Sequence, residues 1–239
     1  MSMILHTTRA FDADLEDLRT KIGEMAQLSE HQISQAMDAL SGRDKGLAKQ
    51  VISGDDRVDE MQQAIEDKAV AAIARWQPMA VDLREILGAL GISHEIERIA
   101  DLAENVAKRV LVLNDGFSSN EVTLQIQRLA RLVLEQLQRV IRSYERRDVA
   151  EATEVWHKDR EVDALNNSIF RELLTYMMED PHTITPCTHL LFCVKNLERM
   201  GDHATNIAET VYYVVKGHSL AGERPTLDVL STLPKHPPP

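Results

Sequence analysis

Four pairs of acidic residues recur in this chain with the spacing i, i+4: Asp55 with Asp59, Glu97 with Asp101, Asp159 with Asp163, and Glu198 with Asp202. On a helix, that spacing puts both carboxylates of a pair on one face, about 5–6 Å apart at Cβ. Like charges so placed oppose the helix by a few tenths of a kcal/mol per pair. Two pairs meeting across neighbouring helices would put four carboxylates on one patch, which something must neutralise. Arg98 and Arg199 can supply part of that charge. A hard divalent or trivalent cation can supply all of it, because oxygen-rich sites suit Mg, Ca, Mn and Fe. Asn105 and Asn206 extend the stripe by one more step of four and could add an amide oxygen. The same acids also read as an ordinary solvated face paired with Arg and Lys.

Recurrence within the chain separates these pairs from the other acids. Residues 43–59, RDKGLAKQVISGDDRVD, match residues 147–163, RDVAEATEVWHKDREVD, at seven of 17 positions with an offset of 104. Residues 97–110, ERIADLAENVAKRV, match residues 198–211, ERMGDHATNIAETV, at seven of 14 with an offset of 101. Such self-similarity marks a duplicated supersecondary unit. Each unit carries one acid pair on its second helix and one on its third.

The elements that must hold these pairs are helices. Only 4% of residues are aromatic and only 10 are glycine, too few for an all-β chain. Five of the eight prolines fall in the last fifteen residues, which leaves long proline-free stretches before them. Breaks at Ser41-Gly42, Gln77-Pro78, Asn114-Asp115-Gly116, Arg147-Asp148, Asp180-Pro181 and Gly217 divide the chain into six helical pieces of about 30 residues. Ile92, Ile96, Ile99, Ala103, Val106 and Val110 form one apolar face, and Leu190, Val194, Leu197, Ala204, Ile207 and Val211 form its counterpart. The expected fold is all-α: two tandem three-helix units, 1–115 and 116–220, followed by a disordered Pro-rich tail, 221–239. At 100° per residue, Glu97, Asp101 and Asn105 lie opposite the apolar stripe, so the acid sites are expected to be open surface patches.

Composition sets outer limits. The formal charge of −11 argues against nucleic acid and anionic lipid as main partners. No apolar run reaches the roughly 20 residues that span a bilayer, and the N-terminus has no signal core. Cys187 and Cys193 sit six apart in one helical stretch and read as reduced core thiols of a cytoplasmic protein. Glu154-x-x-His157 has the spacing of a di-iron ligand pair, but Gln50 and Ser53 stand at the equivalent places. His94-Glu95 begins a metalloprotease-like H-E-x-x-H that Arg98 ends. His203, opposite Leu102 in the first unit, reads as a local hydrogen-bonding residue, and Trp76 and Trp156 as packing between helices. No nucleophile–base constellation emerges.

Paired D-x-x-x-D segments followed by E-R-[IM]-[AG]-D-x-x-x-N-[VI]-A, twice over, resemble the PhoU family of phosphate-signalling proteins. Gln77-Pro-Met-Ala-Val-Asp-Leu-Arg84 resembles that family's segment after the second helix, and the likeness runs from about residue 6 to 217. The resemblance implies two similar helical bundles bearing metal ions or metal clusters, such as Fe, Mn, Mg or Zn, on their acidic motifs. It implies a cytoplasmic, often dimeric negative regulator of phosphate uptake that links the ATPase subunit of a phosphate ABC transporter to a sensor histidine kinase. One site would use Asp55, Asp59, Glu97 and Asp101, the other Asp159, Asp163, Glu198 and Asp202, with Arg98, Asn105, Arg199 and Asn206 at supporting motif positions. Ala100 against Gly201, and Lys108 against Glu209, mark the first site as different from the second. The competing expectations are a carboxylate-metal bundle enzyme, of iron oxidase or phosphatase type, and a metal-free helical scaffold.

Overall fold

A computed structural model describes residues 2–113 and 119–220, the side chains of residues 2–8 excepted. The Asn114–Gly116 turn and the 221–239 tail lie outside the described residues. All regular elements within them are helical: α1 (Ser2–Gly42), α2 (Lys45–Gly54), α3 (Asp56–Trp76), α4 (Val81–Val112), α5 (Asn120–Arg146), α6 (Val149–Glu179), a 3₁₀ turn (Pro181–Thr183) and α7 (Ile184–Lys216).

The boundaries have local causes. Arg43 and Arg147 both take positive φ, 51° and 56°, and so end the first helix of each unit. Asp44 and Asp148 then cap the next helix: each Oδ1 accepts two backbone N–H groups, from Gly46 and Leu47 and from Ala150 and Glu151, at 2.8–3.1 Å. The repeated Arg-Asp is therefore a helix–turn–helix joint. The second helix of the first unit is broken between Gly54 and Asp56, where one long helix was expected. Its counterpart α6 runs unbroken because Lys158, a good helix former, stands where the first unit has Gly54.

The third helices, α4 and α7, run against each other through the centre of the molecule, each also packed on the other helices of its own unit. Gly88 makes this close approach possible, since a methyl there would overlap Val214 Cγ2. One continuous apolar core therefore joins the units, from Ile22 and Ile33 through Ile92, Ile96 and Ile99 to Leu137, Leu197 and Ile207. Cys187 and Cys193 are buried free thiols within it. Trp76 and Trp156 do pack between helices, and each also donates its indole N–H to a carboxylate, Asp14 at 2.8 Å and Glu209 at 2.9 Å. No described helix is long and apolar enough to cross a membrane.

Candidate metal centre

The fold brings the acid pairs of the second and third helices together in each unit. In the first unit, the α2–α3 break places Asp55 at the start of α3, with Asp59 one turn on, facing α4. Burial raises the Asp55 carboxyl to about 6, and repulsion from Glu104, Asp101 and Asp59 adds to it. Asp59 and Glu97 are raised too, mainly by burial and then by Asp101. Five acids thus share one patch, and Glu104 is one that the motif spacing did not single out. Its counterpart in the second unit is Thr205, which instead donates to the Gly201 carbonyl at 3.0 Å.

The counter-charges are local. Arg98 reaches Asp101 at 3.2 Å and Glu97 at 3.5 Å, and Lys108 pairs with Glu104. Arg199 is exposed, and Lys195 pairs with Glu198 at 2.6 Å. Burial likewise raises Glu198, helped by Asp202 and Asp163 and opposed by Lys195.

Burial corrects one expectation. Asp159 is 1% exposed and Asp163 8%, so the α6 half of the second site lies inside rather than on an open patch, while Glu198 and Asp202 on α7 are part-buried. On the third helix alone, the acids lie opposite that helix's apolar stripe. The first helix of the unit, α5, closes over the gap between α6 and α7. Asp59 and Asn105 are exposed, in keeping with an outer patch in the first unit.

Each first helix contributes a residue that the motifs did not reveal. Gln32 and Gln136, separated by the same offset of 104, are 3% and 5% exposed. Gln32 Nε2 donates to Asp55 Oδ1 at 3.5 Å. The Oε1 of each glutamine is buried without a hydrogen-bond donor. Extending the repeat alignment into the first helices would have found this pair.

Two other motif residues serve the seam between the units. Asn206 donates Nδ2 to Glu95 Oε2 on α4 at 3.1 Å, and His203 Nδ1 lies 2.6 Å from the same oxygen. His203 thus bonds across the units rather than locally. Glu154 accepts from Arg139 Nη2 at 2.6 Å, and His157 lies edge-on to Trp156, so this spacing forms no ligand pair.

The donor set suits a hard cation: every candidate is a carboxylate or amide oxygen, and several of the carboxyls are raised by burial with repulsion from one another added. Glu97 Oε2 is buried and accepts no hydrogen bond, its contact with Arg98 Nε at 3.5 Å being an ion pair. Among the described residues, no three His, Cys, Asp or Glu side chains converge as a ready-made ligand cluster. The acids stand as facing pairs, with Arg and Lys holding part of the charge.

Comparison with known proteins matches the two-repeat helical fold. The PhoU domain profile fits twice, over residues 22–110 and 126–211. The chain is 47% identical over 228 residues to the phosphate-specific transport system accessory protein PhoU homolog of Rhizobium meliloti (strain 1021), covering 95% of this chain and 96% of that one. It is 37% identical to the phosphate-specific transport system accessory protein PhoU of Escherichia coli (strain K12), covering 89% and 88%. The crystal structure of PhoU from Pseudomonas aeruginosa superposes with a TM-score of 0.83 at 38% identity, over 87% of this chain and 100% of that one. The phosphate transport system regulatory protein PhoU from Streptococcus pneumoniae gives 0.82 at 26% identity, over 88% and 99%.

Proposed function

The chain belongs to the PhoU family of phosphate transport system accessory and regulatory proteins, which are not enzymes, and from that premise we propose that it works as a cytoplasmic negative regulator joining two partners. One is the ATPase subunit of a phosphate ABC transporter, the other a sensor histidine kinase, and the regulator acts as a homodimer. Cations held by the acid motifs set the charge of its docking faces. The first site would use Asp55, Asp59, Glu97 and Asp101, and the second Asp159, Asp163, Glu198 and Asp202. Bound there, a divalent or trivalent ion such as Fe, Mn, Mg or Zn supplies positive charge and no redox or hydrolytic step.

The observation that carries this reading is the gathering of carboxylates from two helices in each unit, with Asp55, raised to about 6 mainly by burial, further raised by Glu104, Asp101 and Asp59. A surface shaped only for solubility would spread these charges apart. A regulator uses such a patch as a switch: with the ion bound, the acids present a neutral, ordered face, and without it a repelling one.

Pull-down of the purified ATPase subunit and of the kinase tests the proposal. Glu97→Ala/Asp101→Ala should lose one partner, and Glu198→Ala/Asp202→Ala should weaken or lose the other. Capture of both partners at wild-type strength by both variants would remove the acid motifs from the docking switch.

A further inference from the structure

A cavity of about 660 Å³ opens at the seam between the units, lined by Glu95 on α4, Trp156 on α6 and Asn206, Glu209, Thr210 and Tyr213 on α7. Ser219 and Leu220, the last described residues, form its remaining edge. That size suits an organic group rather than a bare ion. None of the described residues lining it is basic. Glu95 meets His203 and Asn206 through one oxygen, Oε2. Glu209 Oε1 accepts the Trp156 indole N–H at 2.9 Å. A carboxylate has about four acceptor sites, so both acids can accept more. Trp156, 5% exposed, and Tyr213, 41% exposed, add aromatic surface.

The duplication accounts for this cavity. It relates one end of the α4–α7 seam to the other. At the far end, Arg109 of α4 holds its guanidinium 4.3 Å from the centre of the Phe192 ring on α7. With the offset of 101, the counterparts of Phe192 and Arg109 are Gly91 and Thr210. These two also meet: a Cβ on Gly91 would lie 3.9 Å from Thr210 Cγ2. Two small residues therefore stand beside the cavity where the far end has a cation stacked on a ring. The charge changes as well, because Glu209 and Trp156 stand at the places of Lys108 and Ile52. One end carries its own guanidinium. The other carries carboxylates and aromatic surface.

We infer that this cavity binds the guanidinium group of an arginine side chain presented on a peptide segment. A guanidinium is planar, stacks on aromatic faces and offers five N–H donors, so one group can meet both carboxylates and the indole or phenol at once. An ammonium would pair with the acids but stack less well. Glu209 and Trp156 are not among the paired acids, and the inference stands apart from the metal reading.

Fluorescence of Trp156 in full-length Trp76→Phe protein, titrated with the blocked peptide acetyl-Gly-Arg-Gly-amide, tests it. The change should saturate. The matching citrulline peptide, equal in shape but uncharged, should bind about tenfold more weakly or worse. Glu209→Gln keeps an acceptor for the Trp156 indole and should weaken the arginine peptide about as much. Thr210→Arg copies the far end and should abolish binding by supplying the cation internally. Glu97→Ala/Asp101→Ala should bind the peptide as wild type does. If Thr210→Arg lowers the melting temperature, Glu209→Gln and the citrulline peptide decide the question. The chain's own segment 221–239 bears Arg224 and Lys235. Binding seen only after Arg224→Gln/Lys235→Gln would support the site and identify its occupant as that segment. Equal binding of the two peptides, wild-type binding in both Glu209→Gln and Thr210→Arg, or no binding with either segment would overturn the inference.

Discussion

His203 of the second unit lies 2.6 Å from Glu95 of the first, and the same Glu95 oxygen accepts the Asn206 amide at 3.1 Å. This carboxylate therefore ties α4 to α7 at the seam between the repeats. Burial alone would raise Glu95, but the bonds from His203 and Asn206 outweigh it and hold the carboxyl below its ordinary 4.5. A depressed acid stabilises the fold above its unfolded value, and that contribution is lost as pH falls through the folded value. Wild-type thermal stability should therefore decline below about pH 4.5 more steeply than that of Glu95→Gln. At neutral pH, His203→Ala should cost about 1–3 kcal/mol in denaturant unfolding, because it strips a part-buried carboxylate of a partner.

Asp55 works in the opposite sense. Its carboxyl is raised from 3.8 to about 6, so the folded state holds a proton there that the unfolded state has released. Its stabilising contribution is complete below the unfolded value and fades as pH rises to about 6 and beyond. Asp55→Asn should therefore raise the melting temperature at pH 7.5 and leave it unchanged at pH 3.5. Added Mn(II) should raise the wild-type melting temperature at pH 7.5 by more than that of Asp55→Asn.

The seam also depends on a glycine. A side chain at Gly88 would run into Val214 Cγ2 where α4 crosses α7. Gly88→Ala should destabilise by about 1–3 kcal/mol despite the better helix propensity of alanine, as overpacking does. Gly54→Ala, with open space around its Cβ, should instead stabilise by about 0.5–1 kcal/mol. Chemical denaturation of both variants checks the contrast.

Glu85, 5% exposed, is held by Arg19 at 3.2 Å and by Arg147, so one carboxylate joins α1 and α4 to the turn between α5 and α6. Removing it leaves Arg19 part-buried and without that partner. Glu85→Ala should cost about 3–5 kcal/mol. Glu85→Gln should recover part of that through hydrogen bonding, as measured by the urea midpoint.

Much of this was legible in the residues. Gly217, Pro78 and Pro181 marked helix ends because few residues tolerate a left-handed or donor-free backbone, although the left-handed residues Arg43, Gln77 and Arg147 are not glycines. The duplication marked the acid pairs, and the all-α fold with two repeats followed. The break at Gly54 was missed because a lone glycine inside a helical pattern is tolerated as often as it interrupts; only the comparison with Lys158 decides it. The burial of Asp159 and Asp163 was missed because a wheel drawn on one helix ignores the neighbour that closes over it. Glu95 and His203, 108 residues apart, meet only through the packing of α4 on α7, which no local spacing encodes. Part of the repeat carried no site chemistry at all: Arg43-Asp44 and Arg147-Asp148 recur because each turn needs a positive φ and a cap.

We propose above all that the paired acids of this phosphate transport regulator hold cations. Elemental analysis of protein grown in metal-replete medium and purified without chelator or a nickel column tests it most directly. Bound Fe, Mn, Mg or Zn should approach or exceed one ion per chain, and should fall in Glu97→Ala/Asp101→Ala and further in Glu198→Ala/Asp202→Ala. A metal content near zero in the wild type, or one unchanged in both variants, would contradict it.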